Sequence, residues 1–336
     1  MSNPFWLDDD AAPALEQRLD GPPDVEIVGA GITGCSCALV LARAGKRVRV
    51  HDERAIAEGA SGRNGGFALR GGAARYDVAR ESYGADRTRE LWRRTEAALD
   101  RLTELGGDAV RRNGSLRLAA DEEELGHIQA EYEALRADGF DVEWRGDLPE
   151  RLAGEFLGAM FHPGDGAVQP ARVVRRIAAA AAAAGAEFRE HSRVSSLEEL
   201  AADAVVLATD GYGRGLVADL DERIWPARGQ VVTTEPLPER LYDYPHYARH
   251  GFDYWQQLPD GRLLLGGFRD FSMLTELTDE ETTTDVIQEA LERFLAELVG
   301  YPPRVTHRAR RRIAYPWSPE LHTLADIQRA RPALGW

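Results

Sequence analysis

The alternation of apolar and polar positions is clearest between residues 24 and 52. Val25-Glu26-Ile27-Val28 is a short β-branched run that ends on a glycine, which predicts a strand. Cys35 to Ala44 is apolar almost throughout and stops at Gly45, the pattern of a buried helix with a glycine terminator. Arg47 to Asp52 alternates around Val48 and Val50 and predicts a second strand. Strand, helix and strand this close together make one βαβ unit with a tight crossover.

Further along, residues 78–105 and 121–138 show helical spacing with dense charge and read as helices with solvated faces. Val168–Ala184 predicts a long helix buried on one side, and Ala204–Thr209 a continuous apolar strand. After Trp225 the pattern changes to strands and turns: Gly229–Thr234, Phe252–Leu258, and Arg262–Gly267 behind the turn Pro259-Asp260-Gly261. A helix over about Asp285–Leu298 follows, and there is no internal repeat. This order predicts an α/β fold: a Rossmann-like nucleotide domain (24–80 and 146–222), interrupted by a smaller α+β domain with an antiparallel sheet (81–145 and 223–305). Residues 1–23, acidic and with four prolines, are expected to be a loosely ordered lead-in, and 306–336 a separate tail.

Charge removes one class of partner. The formal net charge is −15, from 56 acidic and 41 basic residues, and phosphate-backbone binding needs a basic surface, so no nucleic-acid partner is expected. Lys46 is the only lysine, a bias consistent with either a salt-adapted cytoplasm or a GC-rich genome. No run of about twenty apolar residues is present to span a bilayer, and Ala178–Ala184 is too short. With no signal-peptide pattern at the start, a cytoplasmic location is expected. Cys35 and Cys37 sit two apart on a helix, point in different directions, and read as small packing residues. His246 and His250 lack a third ligand, so no metal is expected.

The chemistry starts at Gly29-Ala30-Gly31-Ile32-Thr33-Gly34, a GxGxxG run between strand and helix. Gly29 permits the turn, Gly31 lets a pyrophosphate approach the backbone, and Gly34 lets the helix pack against the strand. The N–H groups of Ile32 and Thr33 then face the phosphates at a helix N-terminus. Asp52, 21 residues after Gly31 at the end of the second strand, is placed to accept from ribose hydroxyls, with Glu53 in reserve. Spacing alone leaves FAD and NAD both open. A second small-residue loop, Gly59-Ala60-Ser61-Gly62-Arg63-Asn64-Gly65-Gly66, follows directly. It is either an ordinary surface loop or one that lies flat along a ligand.

Together these motifs resemble the N-terminus of the glycine oxidase / D-amino-acid oxidase-like flavoprotein family, nearest its gamma-glutamylputrescine oxidoreductase branch, where a GASGRNGG run is typical. Gly166–Ala171, the VVLATDG run Val205–Gly211, Pro226–Gln230 and Asp260–Gly267 resemble further family segments in the same order, over roughly residues 24–308. The resemblance implies FAD as cofactor, with Ala60, Ser61, Gly62, Arg63, Asn64, Gly65 and Gly66 beside the pyrophosphate and flavin, and Val194, Thr209 and Gly211 as later contacts. It implies oxidation of the C–N bond of a small amine or amino acid by hydride transfer to flavin N5, with the catalytic residues unassigned. For a substrate carboxylate, Arg70 and Arg269 are the candidate cations; Tyr254 and Trp255 are candidate walls of an amine pocket.

The far end departs from the pattern. After Val305-Thr306-His307-Arg308 the chain runs Ala309-Arg310-Arg311-Arg312 into a tail that lacks the family's glycine-rich closing element. That tail reads as replaced, as a frameshifted or truncated reading frame would leave it. An inactive, nucleotide-binding flavin fold is therefore one alternative function, and an NAD-dependent dehydrogenase a second.

Overall fold

The computed structural model describes residues 4–9, 13–221 and 223–316. The βαβ unit forms as the pattern predicts, with β1 (Val25–Val28), α1 (Ile32–Arg43) and β2 (Val48–His51). Gly45 takes φ +79° just past the helix, where a side chain would be strained. A short β3 (Phe67–Ala68) follows the second glycine loop. The charged helical stretch is two helices, α2 (Tyr76–Tyr83) and α3 (Ala85–Gly106), divided at Gly84 with φ +84°. Then come β4 (Val110–Arg111), β5 (Ser115–Ala119), α4 (Glu122–Ala137), β6 (Glu143–Arg145), β7 (Gly158–His162) and β8 (Gly166–Val168). Asp121 caps α4, accepting from the N–H of Glu124 at 2.8 Å.

The chain then returns through α5 (Pro170–Ala183), β9 (Glu187–Arg189) and β10 (Ala204–Leu207). Pro170 occupies the first turn of α5, and the Gln169 side chain caps it from the preceding position, 2.8 Å from the N–H of Arg172. The last part is β11 (Ile224–Pro236), β12 (His246–Ala248), β13 (Asp253–Gln257), β14 (Arg262–Gly267), α6 (Asp285–Val299) and β15 (Val305–Pro316).

Three sheets result. A parallel sheet in the order β10-β1-β2-β9 carries α1 and α5, which pack on each other. A mixed, mainly antiparallel sheet runs β15-β11-β14-β13-β12-β5-β7-β6, and β3-β8-β4 makes a small third sheet between them in sequence. The α/β class with an interrupting antiparallel unit is the architecture expected. Its boundaries differ. β7 extends the antiparallel sheet, so the return to the nucleotide domain falls after residue 162 rather than at 146. β15 pairs with β11 from Ile224↔Pro316 to Thr234↔Val305, so residues 306–316 belong to that sheet rather than to a separate tail. Residues 317–336 of the expected tail lie outside the described residues.

The lead-in also differs from expectation. Phe5–Asp8 makes one helical turn that buries Trp6. Its indole N–H donates to the carbonyl of Asn64 at 2.7 Å, and its own carbonyl accepts from Gln169 at 2.9 Å. An aromatic side chain with both a core and a hydrogen-bond partner orders a segment that composition reads as loose.

In the turn between β7 and β8 lies the buried Asp165, its carboxylate accepting from the N–H of Arg70 (3.0 Å) and the hydroxyl of Ser115 (2.7 Å). Burial raises its pKa to about 6, and these bonds only partly oppose the shift. The folded state therefore holds this proton more tightly than the unfolded chain, and stability attributable to Asp165 falls as pH rises from about 4 to 6. Asp165→Asn keeps the acceptor and the Ser115 contact without the buried charge. Urea unfolding from pH 4 to 8 is expected to show the variant losing up to ~3 kcal/mol less than the parent over that window. Identical pH slopes would refute the assignment.

Candidate cofactor site

The site is built where β1 ends and α1 begins. Gly29 has φ +111°, and a Cβ there would lie 2.4 Å from the carbonyl oxygen of Ala208. At Gly34 a Cβ would lie 1.8 Å from the carbonyl oxygen of Gly29. Only hydrogen at both positions lets the turn, the helix and the segment after β10 converge. The N–H of Ile32, first of the helix, is met by the Ser61 hydroxyl at 3.0 Å, so the second glycine loop folds back over the N-terminus of α1. Asp52 braces the turn from the end of β2: one carboxylate oxygen accepts from Ala30 N–H at 2.7 Å, the other from Arg54 N–H at 2.8 Å. Its burial raises the carboxyl pKa, with the two N–H bonds opposing.

A buried polar relay places the third wall. Glu26 on β1 accepts from the N–H groups of Ala201 (2.7 Å) and Ala202 (2.9 Å), which aligns the approach to β10. The same carboxylate lies 3.2 Å from His51 Nε2, and His51 Nδ1 lies 3.0 Å from the Ser192 hydroxyl. Three segments distant in sequence thus close around one cavity of about 350 Å3, within the usual range for ligand sites.

Of the expected cofactor residues, Gly29, Gly31, Ile32, Thr33, Asp52, Glu53, Ala60, Ser61, Val194 and Thr209 line this cavity. Gly34 does not; it serves the helix–strand contact. Gly62 packs against the Ala57 carbonyl. Arg63 donates to the carbonyl of Glu58 at 2.5 Å, and the Asn64 side-chain amide spans its own loop, from the Ser61 carbonyl (2.8 Å) to the N–H of Gly66 (2.8 Å). Gln256 holds the carbonyls of Gly65 (2.5 Å) and Gly66 (2.9 Å). Residues 62–66 are thereby packed against neighbouring elements instead of lining the cavity. Gly211 sits against the backbone of Ile313 on β15. Sequence reasoning missed Arg54, Ser192, Arg193 and Tyr212 in the lining. No motif marks them, because each reaches the cavity through tertiary contacts.

The expected substrate residues separate. Tyr254 lies beside the second loop: a Cβ on Gly65 would come within 2.7 Å of its ring, and Arg311 stands 5.9 Å from the ring centroid. Trp255 points to the opposite face, fully buried and stacked on His246 at 5.1 Å, so it is core and not a pocket wall. Arg70 is taken up by Glu96 (2.9 Å), the Asp141 carbonyl (2.6 Å) and His162 (3.0 Å), a partner set that replaces the expected carboxylate role. Arg269 stands over the ring of Phe252, 5.8 Å from its centroid, in the turn after β14. Among the described residues no cluster of three or more His, Cys, Asp or Glu could hold a metal ion, and no helix is long and apolar enough to cross a membrane.

With this geometry in view, residues 24–326 match the model of a family described as FAD dependent oxidoreductase, and the chain belongs to that family. It is 29% identical over 272 residues to gamma-glutamylputrescine oxidoreductase of Escherichia coli (strain K12), covering 73% of this chain and 64% of that protein. It is 30% identical over 266 residues to glycine oxidase of Geobacillus kaustophilus, covering 72% and 69%. The chain thus spans just under two thirds of the length of the Escherichia coli relative. The crystal structure of the Geobacillus glycine oxidase superposes with a TM-score of 0.68 at 22% identity, covering 88% of this chain and 83% of that one. An FAD-dependent family removes the nicotinamide alternative.

The contact at Gly34 makes a direct prediction. Gly34→Ala forces its methyl into the Gly29 carbonyl, and thermal unfolding should show a loss of about 1–3 kcal/mol or no soluble folded protein. Unchanged stability would mean that α1 can move off β1 freely.

Proposed function

We propose that this chain binds FAD through the cavity at the N-terminus of α1 and oxidises the C–N bond of a small amine or amino acid. The observation that carries the reading is the convergence of a Cβ-intolerant turn, helix N-terminal N–H groups and two carboxylates on one cavity in a member of an FAD-dependent family. These donors fit the adenosine and pyrophosphate half of the cofactor. The backbone at Gly31–Thr33 and the hydroxyl of Ser61 face the pyrophosphate, and Asp52 and Glu53 accept from ribose hydroxyls. Val194 covers the adenine, and Thr209 closes the side opposite α1. When bound, FAD supplies the hydride acceptor, so a dedicated protein base is not required if the amine arrives neutral. The protein's own contribution on the flavin side is positional: Tyr254, beside the second loop, is one wall for the amine. The related proteins support the substrate class, since one is a gamma-glutamylputrescine oxidoreductase and another a glycine oxidase.

A second reading, an FAD fold without turnover, is favoured by one observation. The carbonyls of Gly65 and Gly66 are tied down by Gln256 and the Tyr254 ring fills the space above Gly65.

The visible spectrum separates the two. Purified protein reconstituted with FAD is expected to show the bands of an oxidised flavin, bleached anaerobically by a primary amine or glycine. Colour without bleaching across a panel of amines and amino acids favours the second reading, and failure to take up FAD defeats both. Asp52→Ala should weaken FAD binding roughly 10-fold or more, because it removes the turn brace together with the ribose acceptor. Fluorescence titration with FAD reads this directly, and an unchanged affinity would remove Asp52 from the site.

A further inference from the structure

We propose that Trp6 is a positioning residue for the cofactor cavity, acting through Asn64 on Ser61, and that residues 4–9 form a strap over the second glycine loop. The inference rests on the reading of this cavity as an FAD site. The family match begins at residue 24, so it does not account for the strap.

The path from Trp6 to the cavity is short. Its indole N–H donates to the carbonyl of Asn64 at 2.7 Å, and its ring lies so close to the loop that a Cβ on Gly66 would stand 2.8 Å away. The Asn64 side-chain amide donates in turn to the carbonyls of Ala60 (3.2 Å) and Ser61 (2.8 Å). Ser61 lines the cavity and offers its hydroxyl to the N–H of Ile32 at 3.0 Å. Trp6 is 4% exposed and is not part of that lining. Residues 59–66 contain four glycines, the residue that gives up most conformational freedom on ordering, so the loop needs ties from outside itself. Filling the core would require only the ring. An indole whose single polar atom is committed to a carbonyl 58 residues away also fixes where that loop sits.

The strap is itself held by both large units. Gln169 donates to the Trp6 carbonyl at 2.9 Å while the oxygen of the same side chain caps α5, and Arg172 of α5 pairs with Asp9 at 3.3 Å. On the antiparallel sheet, the ring of Phe5 meets His307 of β15 edge-on at 5.5 Å and the guanidinium of Arg262 at 5.4 Å.

The test uses the full chain. Trp6→Phe keeps an aromatic ring and removes the donor. In cofactor-free protein, hydrogen exchange read by mass spectrometry should be roughly 5-fold faster at residues 61–66 in this variant, with α4 exchanging as in the parent. Phe5→Ala loosens the strap at its sheet end and should speed exchange at the same residues, independently of any change at position 6. Fluorescence titration with FAD should show Trp6→Phe and Ser61→Ala each weakening affinity roughly 5-fold. The double variant should bind no more weakly than Ser61→Ala alone, because the indole acts through that hydroxyl. Effects that multiply in the double variant overturn the proposal, as does exchange at 61–66 that is unchanged in both strap variants or accelerated equally in α4. A parent that fails to take up FAD defeats the proposed oxidation and leaves the exchange comparison to decide the strap.

Discussion

The approach of three backbones at Gly29, Gly34 and Ala208 is the constraint from which the cofactor cavity follows. Without side chains at 29 and 34, the first turn of α1 sits directly on the end of β1, and β10 can run alongside. That contact aims the helix N-terminus into the cavity, and it fixes where Ser61 and Asp52 must stand to meet its N–H groups. The distances involved are below any tolerated Cβ contact, so the arrangement is all or nothing and cannot degrade gradually with substitution.

Around this point the polar interior is arranged to hold segments and not charges alone. Glu26 is the example: burial pushes its pKa upward, yet the N–H groups of Ala202 and Ala201 and the ring of His51 more than compensate, and it stays below its ordinary value. One carboxylate thereby locates the chain entering β10, while His51 passes the constraint to Ser192. In the other sheet Arg228 and Glu276 do the same work, paired at 2.8 Å with both side chains buried, and Gln230 and Thr284 complete the set. Breaking either partner alone would strand a buried charge.

The nucleotide half was legible in sequence because its rules are local. A β-branched run, three glycines at set spacing and an acid after the next strand each act within one βαβ unit, and their positions follow from it. The substrate half was less legible. Trp255 and Tyr254 are neighbours in sequence, and only sheet pairing decides that one faces core and the other the second loop. Arg70 looked available because its partners, Glu96, Asp141 and His162, come from a helix, a loop and a strand far along the chain. Trp6 was hidden in an acidic lead-in, and β15 in an arginine-rich run whose β character appears only on pairing with β11. Arg54, Arg193 and Tyr212 carry no motif because their placement is decided by tertiary packing.

The order of the parallel sheet carries a consequence for how the molecule is made. Val25 pairs with Ala204, and Arg49 with Glu187, so β1 and β2 leave a ribosome long before either outer neighbour exists. During that interval both edges of the central pair are open, the condition that invites intermolecular strand addition. The interrupting unit has time to fold first, since the strands β5, β6 and β7 that pair among themselves are close in sequence. Nascent chains of this protein should depend on holdase chaperones until synthesis has passed β10.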